Sequence, residues 1–254
     1  MKVTTPAYVL RRVRWSESSL ILTLLSLDFG RISGMAKGAL RPKSQFYGQL
    51  EMFSCTELSM SRREGRELDT ITGAAVLEHN EGIRSDPLAF AFACLFGEWT
   101  LAAVTHDNEP VRSVFLLMGE VTDRLARGRD DPWAVLCAGV ERLLRFTGHG
   151  IETERCTVCG GDTGRNPGWN RRSGGVVCDK CPGNEQNISP GLLEYLRMAA
   201  SREFEGLVKT RLWPGGFRQC HDLMREFAEA RFERRLNLKS LAVVEEIENA
   251  DRRL

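Results

Sequence analysis

The stretch YVLRRVRWSESSLILTLLSLDFGRISGMAKGALRPKS, residues 8–44, decides the fold of the N-terminal part of this chain. Short apolar runs alternate there with turn-forming residues, and Asp28-Phe29-Gly30 predicts a tight hairpin turn. The runs that predict strands are YVLRRVRW, SSLILTLLSL, RISGMAKGA and YGQLEMFSCTEL, with a further one in RELDTITGAAVLE. Four or five short strands within the first 80 residues are typical of a small barrel or sandwich.

From Asp86 onward the apolar residues recur with the period of α-helices. Asp86 and Pro87 supply a capping side chain and a proline for the first helical turn, and Asp131-Pro132 and Ser189-Pro190 repeat this arrangement. The segments predicted as helices are LAFAFACLFGEWTLAAV, VRSVFLLMGEVTDRLARG, DPWAVLCAGVERLLRFTG, GLLEYLRMAA and FRQCHDLMREFAEARFERRL. A helical core is therefore expected to follow the β-rich N-terminal part.

Charge is distributed unevenly along the 254 residues, although the net charge is only +1. Residues 1–47 carry eight basic and two acidic side chains, whereas the other 207 residues carry 27 basic and 32 acidic ones. This local excess of positive charge favours an anionic partner for the N-terminal part. The longest apolar run, LAFAFACLF, has nine residues, and a membrane span needs about 20. With no secretory signal in the first residues, we expect a cytoplasmic protein and no membrane partner.

A second informative stretch is CTVCGGDTGRNPGWNRRSGGVVCDKC, residues 156–181. Its spacing, two Cys-x-x-Cys pairs separated by 18 residues, is typical of zinc sites, in which four thiolates surround one ion. A redox dithiol and a pair of disulfides are the alternatives, but the first needs a βαβ context and the second an oxidising compartment. Because four cysteines leave no open position, the zinc is expected to be structural. The predicted ligands are Cys156, Cys159, Cys178 and Cys181.

The N-terminal cations are candidates for contacts with nucleic-acid phosphates. As a strand, RISGMAKG places Arg31 and Lys37 on one face, and YVLRRVRW places Arg12 and Arg14 on the face of Tyr8. Cations interleaved with aromatic rings on a small β-barrel suit single-stranded nucleic acid, although a solvated surface with its rings in the core has the same pattern. The candidate DNA-binding residues are Arg11, Arg12, Arg14, Arg31, Lys37, Arg41 and Lys43. Candidate rings are Trp15, Phe46 and Tyr47, and the cysteine loop adds Arg165, Trp169, Arg171 and Arg172.

Motifs of the common enzyme classes are missing from the sequence. It contains no GxxxxGK[ST] loop, no GxGxxG after a strand, no GxSxG and no HExxH. The sequence therefore predicts a protein that is not an enzyme.

The order of these parts resembles the RecO family of bacterial recombination mediators. The resemblance rests on the strand YVL, the step SESSL, the DxGR hairpin, the loop AKGALRPKS, the helical middle, the cysteine insertion and the closing LNLKSL. It implies an α+β multidomain protein. The implied parts are an N-terminal OB-fold β-barrel over residues 1–80 and an α-helical domain over residues 81–254, with an inserted four-cysteine zinc module at 153–184.

The resemblance also implies a function. RecO-like proteins bind single- and double-stranded DNA, anneal complementary strands and act with RecR to help RecA replace single-strand-binding protein on DNA. They also bind the acidic C-terminal tail of single-strand-binding protein through the helical domain. Arg142 and Arg145 share a helical face there and are candidate tail contacts, with a solvated face as the alternative. The implied location is the bacterial cytoplasm, at the nucleoid when active. Alternatives are a zinc-stabilised nucleic-acid-binding module, a protein scaffold without annealing activity and an unrecognised zinc hydrolase.

Overall fold

The computed structural model describes residues 1–62, 68–104, 111–164, 167–181 and 186–251. The chain forms two compact units. The first comprises Met1–Gly128 together with Lys239–Leu254, and the second comprises Arg129–Leu238. The division at residue 80 and the module limits 153–184 stay predictions.

The first unit contains a closed β-barrel. Its strands are β1 (Lys2–Arg14), β2 (Leu20–Ser26), β3 (Gly30–Ala36), β4 (Cys55–Ser61) and β5 (Asp69–Glu78). Within the described residues they follow the order β1-β2-β3-β5-β4, and β4 pairs back to β1. Only the pairing of β3 with β5 is parallel among these strands. The expected OB-fold β-barrel is confirmed, and alternate residues such as Val9, Leu22, Leu24, Ile32 and Leu58 fill its core.

A β-bulge in β1 changes which side chains share a face. The register with β2 shifts between Val9 and Arg11, so that Arg12 lies opposite Leu22 and Tyr8 opposite Leu25. Directly opposed residues point to the same side of a sheet, and Leu22 belongs to the barrel core whereas Tyr8 packs on a helix. Arg12 therefore does not share the face of Tyr8, and that prediction is wrong because the bulge inverts the alternation.

The segment between β3 and β4 is longer than predicted. Strand structure was expected from Tyr47, but β4 begins only at Cys55, and residues 37–54 form a series of turns. Phe46 and Leu50 insert into the barrel core from this segment, and the Phe53 N–H donates to the Val9 carbonyl at 3.0 Å. The apolar residues of the segment thus close the barrel rather than extend a strand.

Helices complete the first unit. They are α1 (Glu81–Ser85), α2 (Pro87–Ala103), α3 (Arg112–Arg127) and α8 (Lys239–Asp251). As predicted, Asp86 caps α2 by accepting from the Leu88 and Ala89 N–H groups at 2.8 and 3.1 Å. Helix α8 was not predicted; its Ser240 donates from both N–H and hydroxyl to the Glu98 carboxylate of α2. The barrel meets α3 through Tyr8 and Phe115, whose ring centroids are 5.0 Å apart.

The second unit combines helices with a small sheet. Its elements are α4 (Pro132–Phe146), β6 (Gly168–Asn170), β7 (Gly175–Val177), β8 (Gln186–Asn187), α5 (Pro190–Ser201), α6 (Phe204–Val208) and α7 (Gly216–Arg231). Asp131 and Ser189 cap α4 and α5, as the Asp-Pro and Ser-Pro steps predict. Helix α4 packs against α6 and α7, and β6 pairs with both β7 and β8. The α+β class with a helical C-terminal region is confirmed.

Within the described ranges, no helix has both the length and the apolar character that a membrane span requires.

Candidate nucleic-acid interface and metal centre

Two loops meet at the end of the barrel where β1 terminates. Arg14 lies opposite Leu20 of β2, and Leu20 lies opposite Ala36 of β3, so these strand ends are adjacent. The loop of residues 15–19 is joined to the segment after β3 because the Leu40 N–H donates to the Ser18 carbonyl at 3.0 Å. We call Arg14–Leu20 together with Ala36–Lys43 the cationic barrel end. Local folding thus gathers residues that are about 20 positions apart in the sequence.

Most of the predicted cations are exposed. Lys37, Arg41 and Lys43 are exposed in the segment after β3, where the Arg41 N–H closes a turn on the Gly38 carbonyl at 3.1 Å. Arg14 is exposed and its guanidinium donates to the carbonyls of Ser16 and Glu17, which holds it over the neighbouring loop. Arg11 is also exposed. Closely spaced exposed cations of this kind attract a polyanion.

Two of the predicted cations are held by groups of the protein itself. Arg12 forms an ion pair with Glu51, a residue of the segment that closes the barrel. Arg31 is half-buried and donates to the Leu101 carbonyl near the end of α2 at 3.1 Å. Both guanidiniums hold parts of the first unit together, and a phosphate would have to compete with these partners.

The aromatic candidates separate into two groups. The Phe46 side chain is 5% exposed and lies in the barrel core, whereas Trp15 is 65% and Tyr47 82% exposed. In the cysteine loop, Trp169 is 3% exposed and packs on Phe227 with ring centroids 6.1 Å apart. Trp169 is therefore a core residue, and the prediction that it could contact nucleic acid is wrong. Arg171 and Arg172 are exposed, and Arg165 lies outside the described residues.

The four predicted ligands converge. The sulfur atoms of Cys156, Cys159, Cys178 and Cys181 all lie within 4.8 Å of one another, and those of Cys159 and Cys178 are 3.9 Å apart. Zinc–thiolate bonds of about 2.3 Å in a tetrahedron place sulfur atoms about 3.8 Å apart. The cluster therefore has the size and the donor set of a tetrahedral zinc–thiolate centre, and its four cysteines are able to hold one ion.

The electrostatics of the cluster also favour a cation. Backbone N–H groups, first that of Cys178 and then that of Cys159, lower the pKa of the Cys156 thiol to about 6. The pKa of Cys181 is raised to about 12, first because its protonated thiol donates a hydrogen bond to the Cys178 sulfur, then by burial, and last by repulsion from the Cys156 thiolate. A divalent cation removes this conflict by attracting all four thiolates.

The metal centre is built into the second unit. Glycine residues allow the chain to reverse between the cysteine pairs, and Gly174, with a φ of 90°, directly precedes β7. Arg197 of α5 donates to the Thr153 carbonyl and the Thr163 hydroxyl, both at 3.2 Å. Sequence reasoning missed Arg197, since nothing in its helix distinguishes it from a solvated arginine.

The candidate tail contacts both have partners. Arg145 donates to Glu141 at 3.0 Å, and Arg142 donates to the Arg202 carbonyl just after α5. Glu141 is 2% exposed, and burial raises the pKa of its carboxyl group. Arg145 therefore offsets the charge of a buried carboxylate.

Family comparison covers nearly the whole chain. The family model described as "Recombination protein O N terminal" matches residues 1–80, and the one described as "Recombination protein O C terminal" matches residues 84–242. The chain belongs to the RecO family. RecO proteins are DNA repair proteins, and the family is non-enzymatic.

Curated relatives agree with the family models. The DNA repair protein RecO of Rhodopirellula baltica is 34% identical over 201 residues, which cover 77% of this chain and 74% of the relative. That of Rubrobacter xylanophilus is 32% identical, covering 76% of this chain and 78% of the relative. The RecO protein of Alkaliphilus metalliredigens is 21% identical but covers 97% of this chain and 100% of its own length. The resemblance to the RecO family is thus confirmed.

Proposed function

We propose that this RecO-family protein is a recombination mediator that binds single- and double-stranded DNA at the cationic barrel end and anneals complementary strands. The observation that carries the proposal is the gathering of Arg14, Lys37, Arg41 and Lys43 by two joined loops at one end of an OB-fold barrel. Arg11 extends this surface along β1, and Arg12 and Arg31 are proposed as marginal contacts because each is half-buried as well as held by an internal partner.

Annealing at such a surface needs no bond chemistry. Cations that neutralise the phosphates of two strands reduce their repulsion and raise the rate at which they meet. By family membership we propose RecR as a partner, RecA as an indirect one, and the tail of single-strand-binding protein as the group that recruits the protein to coated DNA. Recruitment raises the local concentration of the cationic barrel end near the strand. The proposed location is the bacterial cytoplasm, at the nucleoid during repair.

We propose that the ion of the cysteine cluster is Zn²⁺ and that it is structural. When bound, the ion supplies charge neutralisation and four bonds that hold the two Cys-x-x-Cys turns together. The second unit would then be stabilised jointly by the four metal–thiolate bonds, the Arg197 hydrogen bonds and the Trp169–Phe227 contact.

Removal of three cations tests the DNA site. The change Lys37→Ala, Arg41→Ala and Lys43→Ala should lower the slope of log affinity against log salt by about 2, since each lost single-strand phosphate contact removes about 0.7. Affinity for a fluorescent oligonucleotide is measured at several salt concentrations. The matched control, Arg84→Ala with Arg112→Ala and Arg129→Ala, removes the same charge from exposed positions elsewhere. Equal slopes for the two triple variants would remove the cationic barrel end from the DNA site.

Annealing is tested with two complementary fluorescent oligonucleotides, one coated with single-strand-binding protein. We expect acceleration by this protein, and we expect it to disappear on coated strands when the coating protein lacks its tail. If the protein leaves the annealing rate unchanged on both bare and coated strands, the mediator proposal is contradicted.

The proposed tail contacts are tested with two variants that differ in their expected effect on stability. Arg142→Ala removes a guanidinium whose partner is a backbone carbonyl, so it should weaken binding of an acidic tail peptide with little loss of stability. Arg145→Ala would leave Glu141 buried without its cation and should lower stability as well. Peptide affinity and thermal unfolding are measured for both. Unchanged peptide affinity of a folded Arg142→Ala variant would argue against this contact.

A further inference from the structure

One large exposed aromatic side chain lies within the cationic barrel end, and a second follows it four residues later in the chain. Trp15 lies in the loop of residues 15–19 with a 65% exposed side chain, and Tyr47 lies in the segment that closes the barrel with an 82% exposed side chain. Leu40, in the same segment, is 40% exposed. Exposed rings that lie beside exposed cations along the chain are a feature of surfaces that bind single-stranded nucleic acid.

The backbone at both rings is held in place. The Trp15 N–H donates to the Ser19 carbonyl at 3.0 Å, which closes the loop, and the Tyr47 N–H donates to the Ser44 carbonyl at 3.1 Å. Phe46, the neighbour of Tyr47, is anchored in the barrel core. Because the neighbouring Phe46 ring is buried, the Tyr47 ring points outward. Since the backbone at both exposed rings is already ordered, binding of a ligand to them costs little backbone entropy.

The charges beside the rings indicate the kind of ligand. Arg14 directly precedes Trp15, and Lys43 lies four residues before Tyr47. A polyanion with flat apolar groups spaced along it matches this mixture, and a polynucleotide strand has that chemistry: phosphates for the cations and base faces for the rings. An acidic protein segment would satisfy the cations but offers no regular series of flat groups.

We propose that Trp15 and Tyr47 stack on unpaired bases and thereby make the cationic barrel end select single strands over duplex DNA. This inference rests on the proposed DNA-binding function and names the determinants of its strand preference. In a duplex the faces of the bases are already stacked on one another, so the rings contribute only when the bases are unpaired. Phosphate contacts, in contrast, are made with either form.

Stacking at this site is also compatible with annealing. A ring occupies the face of a base and leaves its hydrogen-bonding edge free, so a strand held by Trp15 and Tyr47 still presents its edges to a complement. Stacking is tolerant of sequence because every base has such a face. As pairs form, the new base stack replaces the protein rings, and the duplex is then held by phosphate contacts alone.

The test compares two strands of about 15 nucleotides with equal numbers of phosphates, one of thymidines and one of abasic residues; this length is within the range that one OB fold covers. We expect the unchanged protein to prefer the thymidine strand. Trp15→Ala and Tyr47→Ala should each reduce affinity for that strand about 5- to 150-fold, the range for one base–aromatic stack, without changing affinity for the abasic strand. Trp15→Phe and Tyr47→Phe should retain most of the preference.

Control variants separate this inference from the function on which it rests. Leu116→Ala removes exposed apolar surface from α3, outside the cationic barrel end, without removing a ring and should leave the preference intact. The triple variant of Lys37, Arg41 and Lys43 should lower the affinity for the thymidine strand and for the abasic strand by the same factor. Equal binding of the two strands by the unchanged protein would overturn the stacking inference and leave DNA binding in place. Binding of neither strand at low salt would overturn the proposed function itself and favour an acidic protein partner.

Discussion

Loss of the metal from the four-cysteine cluster is expected to unfold the chain around residues 151–181. The small core of this region consists of Cys156, Cys178 and Val177, with Cys181 packed against them, so three of its four members are ligands. Without the ion, this small core keeps only one member, Val177, that is not a ligand. Structural zinc contributes about 10–16 kcal/mol of apparent binding free energy in small zinc-folded peptides, and we expect this to be the largest effect of any change considered.

The measurement is hydrogen exchange together with zinc content, before and after chelation and for Cys178→Ser. We expect protection to be lost from residues 151–181 and from α7 around Phe227, against which Trp169 packs. Cys94→Ser is the matched control, because Cys94 lies outside the cluster and its loss should leave the zinc content unchanged. Full protection after complete removal of zinc would contradict a structural role for the ion.

Lowering the pH should also release the metal and unfold the region around the four-cysteine cluster. The pKa of Cys156 in the folded chain is lowered to about 6, below the ordinary value of a thiol, so the folded state favours its thiolate. The stability that this thiolate contributes is fully present above the ordinary thiol pKa and is lost as the pH falls through about 6. Bound zinc competes with protons and moves the loss to lower pH. Zinc release followed during acid titration checks this direction.

Gly82→Ala should destabilise the first unit strongly. A Cβ atom at this position of α1 would lie 2.0 Å from the carbonyl oxygen of Ala126 in α3 and 2.8 Å from its carbonyl carbon. These are backbone atoms, so α1 and α3 would have to separate, which would expose the fully buried Ile83. We expect a loss of about 3 kcal/mol or more. This corresponds to a fall in Tm of about 6–12 °C for a chain of this size.

Thermal and urea unfolding of Gly82→Ala measure this effect. Gly206→Ala is the matched control within a helix, because its Cβ would meet only flexible side-chain atoms of Arg202, at 3.8 and 3.9 Å. The control should be neutral or slightly stabilising, since alanine favours helices over glycine. A Gly82→Ala variant as stable as the control would mean that α1 does not pack on α3 in this way.

Local patterns in the sequence were sufficient for several parts of this molecule. The hairpin at Asp28-Phe29-Gly30, the caps at Asp86 and Asp131, and the cysteine spacing all depend on residues close in sequence, and the structure contains each of them. Turns, caps and chelating pairs are decided by nearby backbone geometry, so a short window of sequence contains the information.

Other features depended on partners that are distant in sequence. The bulge after Val9 inverts the faces of β1, which no periodicity within YVLRRVRW reveals. The segment YGQLEMF reads as a strand, but its apolar residues close the barrel end instead. Helix α8 was missed because its stability comes from packing on α2 and from the Glu98–Ser240 hydrogen bonds. Tertiary contacts override local propensity in each case.

The residue pattern alone was sufficient to predict a small barrel or sandwich, a helical second part, the metal ligands and the segment that carries the positive charge, and the resemblance to the RecO family specified the barrel. Which charged and aromatic groups are accessible depends on the fold. Arg12 and Arg31 are held by Glu51 and the Leu101 carbonyl, and Phe46 and Trp169 are buried, whereas Trp15 and Tyr47 remain exposed. The physical reason is that a residue type specifies what a side chain can bind, but its accessibility depends on groups that the fold brings from elsewhere in the chain.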